Sequence, residues 1–123
     1  MSNHSWTYTA GADGIGVLTL DVPERSANTL SSAVLIELES VLTGIEAAPP
    51  RGLIIRSGKK SGFIAGADVH EFTTLGSVEQ ALVLIRRGQR LCDRIAALRC
   101  PVVALLQGFA LGGGMELDRK SVV

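Results

Sequence analysis

Two stretches of small residues hold the groups best suited to chemistry. One is Phe63-Ile64-Ala65-Gly66-Ala67-Asp68-Val69 and the other is Gly108-Phe109-Ala110-Leu111-Gly112-Gly113-Gly114-Met115-Glu116. Each follows an apolar, strand-like run and reads as the opening of a helix. Such a junction presents free backbone N–H groups at the positive end of a helix dipole. Two junctions facing each other could hold a developing negative charge, and Glu116 sits just past the second. Donors for an oxyanion beside a carboxylate suit proton transfer next to a carbonyl. The Gly112-Gly113-Gly114 run lets a backbone come close to a ligand, although a glycine triplet alone equally describes a plain turn. Neither stretch is a phosphate loop, because no Gly-Lys-Ser or Gly-Lys-Thr follows and Gly-x-Gly-x-x-Gly is absent. By spacing alone, Asp68 and Glu116 also fit ordinary first-turn acids that complement a helix dipole. The two histidines, His4 and His70, have no supporting motif for a nucleophile–base set.

The elements that must position these stretches follow from periodicity. Trp6 to Ala10 alternates as a strand, Gly11-Ala12-Asp13-Gly14 is a turn, and Ile15 to Val22 returns, which makes an N-terminal hairpin. Pro23 to Thr29 is an irregular connection. Leu30 to Ala47 has Leu35, Leu38, Leu42 and Ile45 at helical spacing, with Ser31 or Ser32 near its cap and Pro49-Pro50 as its stop. Gly52 to Ser57 is a short apolar strand, and Gly58 to Gly66 reads as a loop. Ala67 to Phe72 reads as one or two helical turns. Ser77 to Leu98 is the longest predicted helix, with an expected apolar stripe of Val78, Leu82, Ile85, Cys92 and Ile95 and with Arg86, Arg87, Arg90 and Arg94 largely elsewhere. Pro101 to Leu106 reads as a buried strand, and a last helix starts near Gly113. After the hairpin, strands alternate with helices. That predicts an α/β fold, a sheet with helices packed outside it.

Composition narrows the function classes. The chain has 123 residues, 46% of them hydrophobic, so it is one small globular domain at most. Twelve basic and twelve acidic residues cancel, which gives no support for a nucleic-acid or polybasic membrane surface. No apolar run is long enough to span a bilayer, and the N-terminus lacks the basic and apolar regions of a signal peptide. Cys92 and Cys100 have no metal or redox spacing and read as reduced cysteines of a cytoplasmic protein. No metal site is expected.

Around these residues the sequence resembles the enoyl-CoA hydratase/isomerase, or crotonase, superfamily from about Thr7 to Leu117. The likeness takes in Asp21-Val22-Pro23, Asn28-Thr29-Leu30, Leu53-Ile54-Ile55-Arg56-Ser57 and both small-residue stretches. Their wording is most similar to the N-terminal hydratase part of bacterial multifunctional fatty-acid oxidation α-subunits. The resemblance implies the N-terminal part of a ββα-type spiral. It implies that the backbone N–H groups of Ala67 and Gly113 form an oxyanion hole for an acyl-CoA thioester oxygen. It places Glu116 as the first of two catalytic carboxylates that hydrate a trans-2-enoyl-CoA. Coenzyme A contacts are implied at Ala65, Ala67, Asp68 and Val69 and at Arg25, Ser26 and Ala27, with Arg25 facing a phosphate. Coenzyme A enters as part of the substrate. No separate cofactor is implied on this segment, and NAD is implied only where a dehydrogenase domain follows. The partners implied are an acyl-CoA thioester, further copies of the chain or a thiolase subunit, and neither nucleic acid nor membrane.

The likeness stops near Leu117. The second glutamate of the family falls beyond position 123, and Asp118-Arg119-Lys120 puts three charges where relatives continue with small apolar residues. Residues 1–117 are therefore read as the N-terminal part of a hydratase/isomerase domain and 118–123 as a non-native tail, from sequencing-adapter read-through or a frameshift. The expectation is a C-terminally truncated chain, inactive by itself. Other readings are an isomerase, hydrolase or decarboxylase of the same superfamily, a non-catalytic binder of coenzyme A, or a chain without function whose apolar surfaces make it self-associate.

Overall fold

The computed structural model describes residues 4–24, 28–59, 62–64, 78–105 and 109–110. Strand β1 (Trp6–Ala10) and strand β2 (Ile15–Leu20) form the expected hairpin, antiparallel, with Trp6 opposite Leu20 and Ala10 opposite Gly16. The turn closes through Gly14 N–H to the Gly11 carbonyl at 3.0 Å, and the Asp13 carboxylate accepts from the Ile15 N–H at 3.0 Å. Gly14 has φ of 82°, a left-handed conformation that a side chain resists. Strand β2 ends at Leu20, two residues short of the expected Val22, because Val22 is bonded by side chains instead of a neighbouring strand.

Helix α1 (Ser32–Ala47) starts where Ser31 caps it, the Ser31 Oγ accepting from the Val34 N–H at 3.3 Å. Its apolar face is Val34, Leu35, Leu38, Leu42 and Ile45, all buried, as the spacing predicts. The face lies over the sheet side that carries Leu18, Leu20, Leu53, Ile55, Val102 and Ala104. Strand β3 (Gly52–Ser57) runs parallel to β2, with Leu20 opposite Ser57. Strand β4 (Gly62–Ile64) lies inside the stretch expected to be a loop. Its three residues are too few for a period to show.

Helix α2 (Val78–Ala96) occupies the expected place and buries Cys92 and Ile95 of the expected stripe, but its N-terminal half turns a different side inward. Leu84, Leu91, Cys92 and Ile95 are buried, whereas Val78 (73% exposed), Leu82 (42%) and Ile85 (43%) face out. At about 100° per residue, the two rows of apolar residues are adjacent stripes of one wide arc, and both have helical period. Periodicity does not choose between them. Packing against α1 does, with position 88 facing Leu35 at ordinary contact distance. Arg87 pairs with Glu39 at 3.2 Å and Arg94 with Glu46 at 2.6 Å across the two helices.

Strand β5 (Val102–Ala104) runs parallel to β3 and completes a four-stranded sheet in the order β1-β2-β3-β5. It is shorter than the expected buried run, and Leu105 is already 49% exposed. Strand β6 (Phe109–Ala110), expected to be loop, pairs with β4 in a separate two-stranded parallel sheet.

Candidate active site

Three parallel strands end at one edge of the sheet. Leu20 closes β2, Ser57 lies beside it at the end of β3, and Ala104 closes β5 next to Ile55. Ligands of open α/β sheets sit outside this carboxyl edge, where strand-to-helix connections converge. The connections that leave it contain Arg25–Ala27, residues 58–69 and residues 105–116, which are the segments singled out in the sequence.

The small sheet tightens this placement. Strands β4 and β6 run in the same direction, with Gly62 opposite Phe109 and Ile64 opposite Ala110. Ile64 and Ala110, the last described residues before the two small-residue stretches continue, therefore lie opposite each other in strands that run the same way. The pairing joins two segments far apart in sequence, each a described part of one small-residue stretch.

The assigned residues themselves fall outside the described residues. These are Ala67, Gly113 and Glu116, together with Arg25, Ser26, Ala27, Ala65, Asp68 and Val69. His70, the short helix expected at Ala67 to Phe72 and the helix expected from Gly113 fall there too. Their flanks are described: Glu24, Asn28, Ile64 and Ala110.

At the same edge lies a polar cluster that the sequence did not announce. Asn28 is 1% exposed and Ser57 is 2% exposed, two neutral polar side chains against the apolar core. The Asn28 amide nitrogen donates to the Leu20 carbonyl at 2.9 Å and to Ser57 Oγ at 2.9 Å, and its oxygen accepts from the Val22 N–H at 3.0 Å. Ser57 Oγ accepts from the Lys59 N–H at 2.9 Å. The Lys59 ammonium donates to the Val22 carbonyl at 2.7 Å and pairs with Asp21 at 2.6 Å. The backbone of Val22 has left the sheet, and side chains of two other segments supply what the ladder no longer provides. Asn28 was legible only as the start of the first helix. The available signal was an amide two residues before an apolar helix and close after a strand end, in a connection with proline.

Among the described residues no group of three or more His, Cys, Asp or Glu could hold a metal ion, and no helix is long and apolar enough to cross a membrane. Both cysteines are free thiols, and partial burial pushes the Cys100 thiol up from its ordinary value.

The four-stranded sheet with its two described helices belongs to the crotonase fold of the solved structures it superposes on. The pattern of the enoyl-CoA hydratase/isomerase family matches residues 10–119, and the chain belongs to that family. It is 39% identical over 114 residues to a fatty acid oxidation complex subunit alpha of Shewanella sp. (strain W3-18-1) and 40% identical to its counterpart in Idiomarina loihiensis. The match takes in 92% of this chain and 16% of each relative, so the chain spans about one sixth of their length. Among solved structures, an enoyl-CoA hydratase from Bacillus anthracis superposes with a TM-score of 0.87 at 31% identity, covering 95% of this chain and 45% of that one. An enoyl-CoA hydratase/carnithine racemase from Magnetospirillum magneticum gives 0.87 at 29% identity, covering 98% and 45%.

Proposed function

We propose that this chain supplies the oxyanion hole and one acid–base carboxylate of a protein that reversibly hydrates trans-2-enoyl-CoA to 3-hydroxyacyl-CoA in fatty-acid oxidation. The observation that carries the reading is the parallel pairing of β4 with β6, which sets Ile64 of one small-residue stretch opposite Ala110 of the other. Three residues on from Ile64 is Ala67, and three on from Ala110 is Gly113. Their N–H groups would receive the thioester oxygen and stabilise the enolate formed when a proton leaves or joins the neighbouring carbon. Removing such a donor costs about 3–4 kcal/mol of barrier. Glu116 would transfer the proton or hold the water. Arg25, Ser26 and Ala27, with Ala65, Asp68 and Val69, would grip coenzyme A.

The names of the relatives support a place in a fatty-acid oxidation complex. We extend to this chain an acyl-CoA substrate, a cytoplasmic setting and a thiolase partner or self-assembly, with NAD serving only a dehydrogenase domain. Hydration of crotonyl-CoA, followed by loss of the enoyl absorbance, tests the reaction. In a longer protein that completes the hydratase domain around this chain, Glu116→Gln should lower turnover about 100-fold or more and leave thioester affinity nearly unchanged. Unaltered turnover would overturn the assignment. The 123-residue polypeptide by itself carries one carboxylate of the pair and should bind crotonyl-CoA without hydrating it. A second reading, isomerisation of a 3-enoyl-CoA, is favoured by the family's range and by the sufficiency of one carboxylate for a proton shift between carbons. Turnover of that substrate in preference to crotonyl-CoA would select it.

A further inference from the structure

We propose that Asn28 is a positioning residue that locks the chain leaving β2 to the chain leaving β3, and so fixes the separation of the two connections that grip the acyl-CoA substrate. The proposal rests on the acyl-CoA reading above for its ligand, and on the described residues for its geometry.

Four observations carry it. Asn28 bonds both sides of the gap, Leu20 and Val22 on one connection and Ser57 on the other. Lys59 closes the gap from the opposite direction through the Val22 carbonyl and Asp21. Gly58 donates to the Leu20 carbonyl at 2.9 Å, and a Cβ on it would meet the Asp21 Cβ at 2.9 Å, so the two chains touch with no room for a side chain. Glu24 has φ of 60°, a left-handed conformation that costs a non-glycine residue free energy and persists only where its surroundings over-determine it. Glu24 immediately precedes Arg25, and Val22 and Asn28 are the pinned points on either side. A buried network of this kind has one low-energy arrangement, because each donor it contains also serves as a neighbour's anchor. The strain at Glu24 is therefore held between two points, Val22 and Asn28, that the latch ties to Ser57 and Lys59.

The test combines hydrogen exchange with calorimetric binding of crotonyl-CoA to the 123-residue chain. Asn28→Ala should speed amide exchange at 21–24 and at 57–59 together by about tenfold or more, with exchange in α2 unchanged. It should also weaken crotonyl-CoA binding by about tenfold or more. Lys59→Met, a partly exposed position, should move both readouts the same way by less, and Lys59→Arg should restore them. Lys59→Met also serves if Asn28→Ala does not fold. Loosening confined to residues 21–28 would overturn the latch, and loosening of both connections with unchanged affinity would overturn the positioning role. Failure of the unaltered chain to bind crotonyl-CoA would overturn the acyl-CoA reading, leaving the latch to be decided by exchange alone.

Discussion

Glu37 fastens an edge strand with one side chain. Its two oxygens accept from the Ser5 and Trp6 N–H groups at 2.9 Å each, and the Trp6 indole N–H donates to the Val34 carbonyl at 3.0 Å. The start of β1 is thereby tied to α1. Glu37→Ala should cost about 2–3 kcal/mol, two charge-assisted bonds at partly buried positions, measured by urea unfolding. The Arg94 guanidinium beside Glu46 holds its carboxyl below the usual carboxylate range. Because the folded value is depressed, the pair favours the fold above the ordinary glutamate range and loses that contribution as pH falls through the lowered value. Glu46→Gln should therefore lower the melting temperature slightly at neutral pH and leave it unchanged in strong acid, where both forms are neutral. The exposed setting keeps the effect small. At this scale the sequence was clearest about residue types. The oxyanion and acid–base assignments rest on motif wording, whereas Asn28, Ser57 and Lys59 become a unit only once β2 and β3 lie side by side.

Element by element, long periodic segments were legible and short paired ones were not. The hairpin, α1 and β3 lie where their patterns predict, with β2 ending two residues early and α1 starting two residues late, since turn glycines, a serine cap and alternating apolar residues are local signals. Strands β4 and β6, of three and two residues, exist because each has the other, and no local pattern marks them. The phase of α2 is the instructive error. Leu91→Ala should cost about 2–5 kcal/mol because Leu91 is 2% exposed. Ile85→Ser should stay within about 0.5 kcal/mol in the same urea titration. Equal costs would restore the phase read from periodicity. In the hairpin, Gly14→Ala should destabilise by about 1 kcal/mol or more, since it combines a left-handed φ with a Cβ 2.8 Å from Arg51 Cδ.

At the scale of the molecule, the exposed large apolar residues among the described ones lie mostly on α2, with Ile36 of α1 apart from them. Val78, Leu82, Val83 and Ile85 are each more than two-fifths exposed, and Leu105 ends β5 in the same condition. Apolar residues grouped in this way promote association. Sedimentation of the 123-residue chain should show concentration-dependent self-association, and Val83→Glu with Leu82→Lys should shift it toward monomer without lowering helicity. A monodisperse unaltered chain would contradict this.

The pairing of β4 with β6 has a further consequence, in time. Gly62 and its partner Phe109 are 47 residues apart (109 − 62), with the whole of α2 between them. At about 5–20 residues per second, a ribosome delivers the second strand some 2–9 seconds after the first. Secondary structure and hairpins form within microseconds. The hairpin, α1 and β3 can therefore assemble while β4 still waits for its partner. Strands β4 and β6 are the last described elements to meet, and like β3 with β5 they close a loop far longer than that of the hairpin.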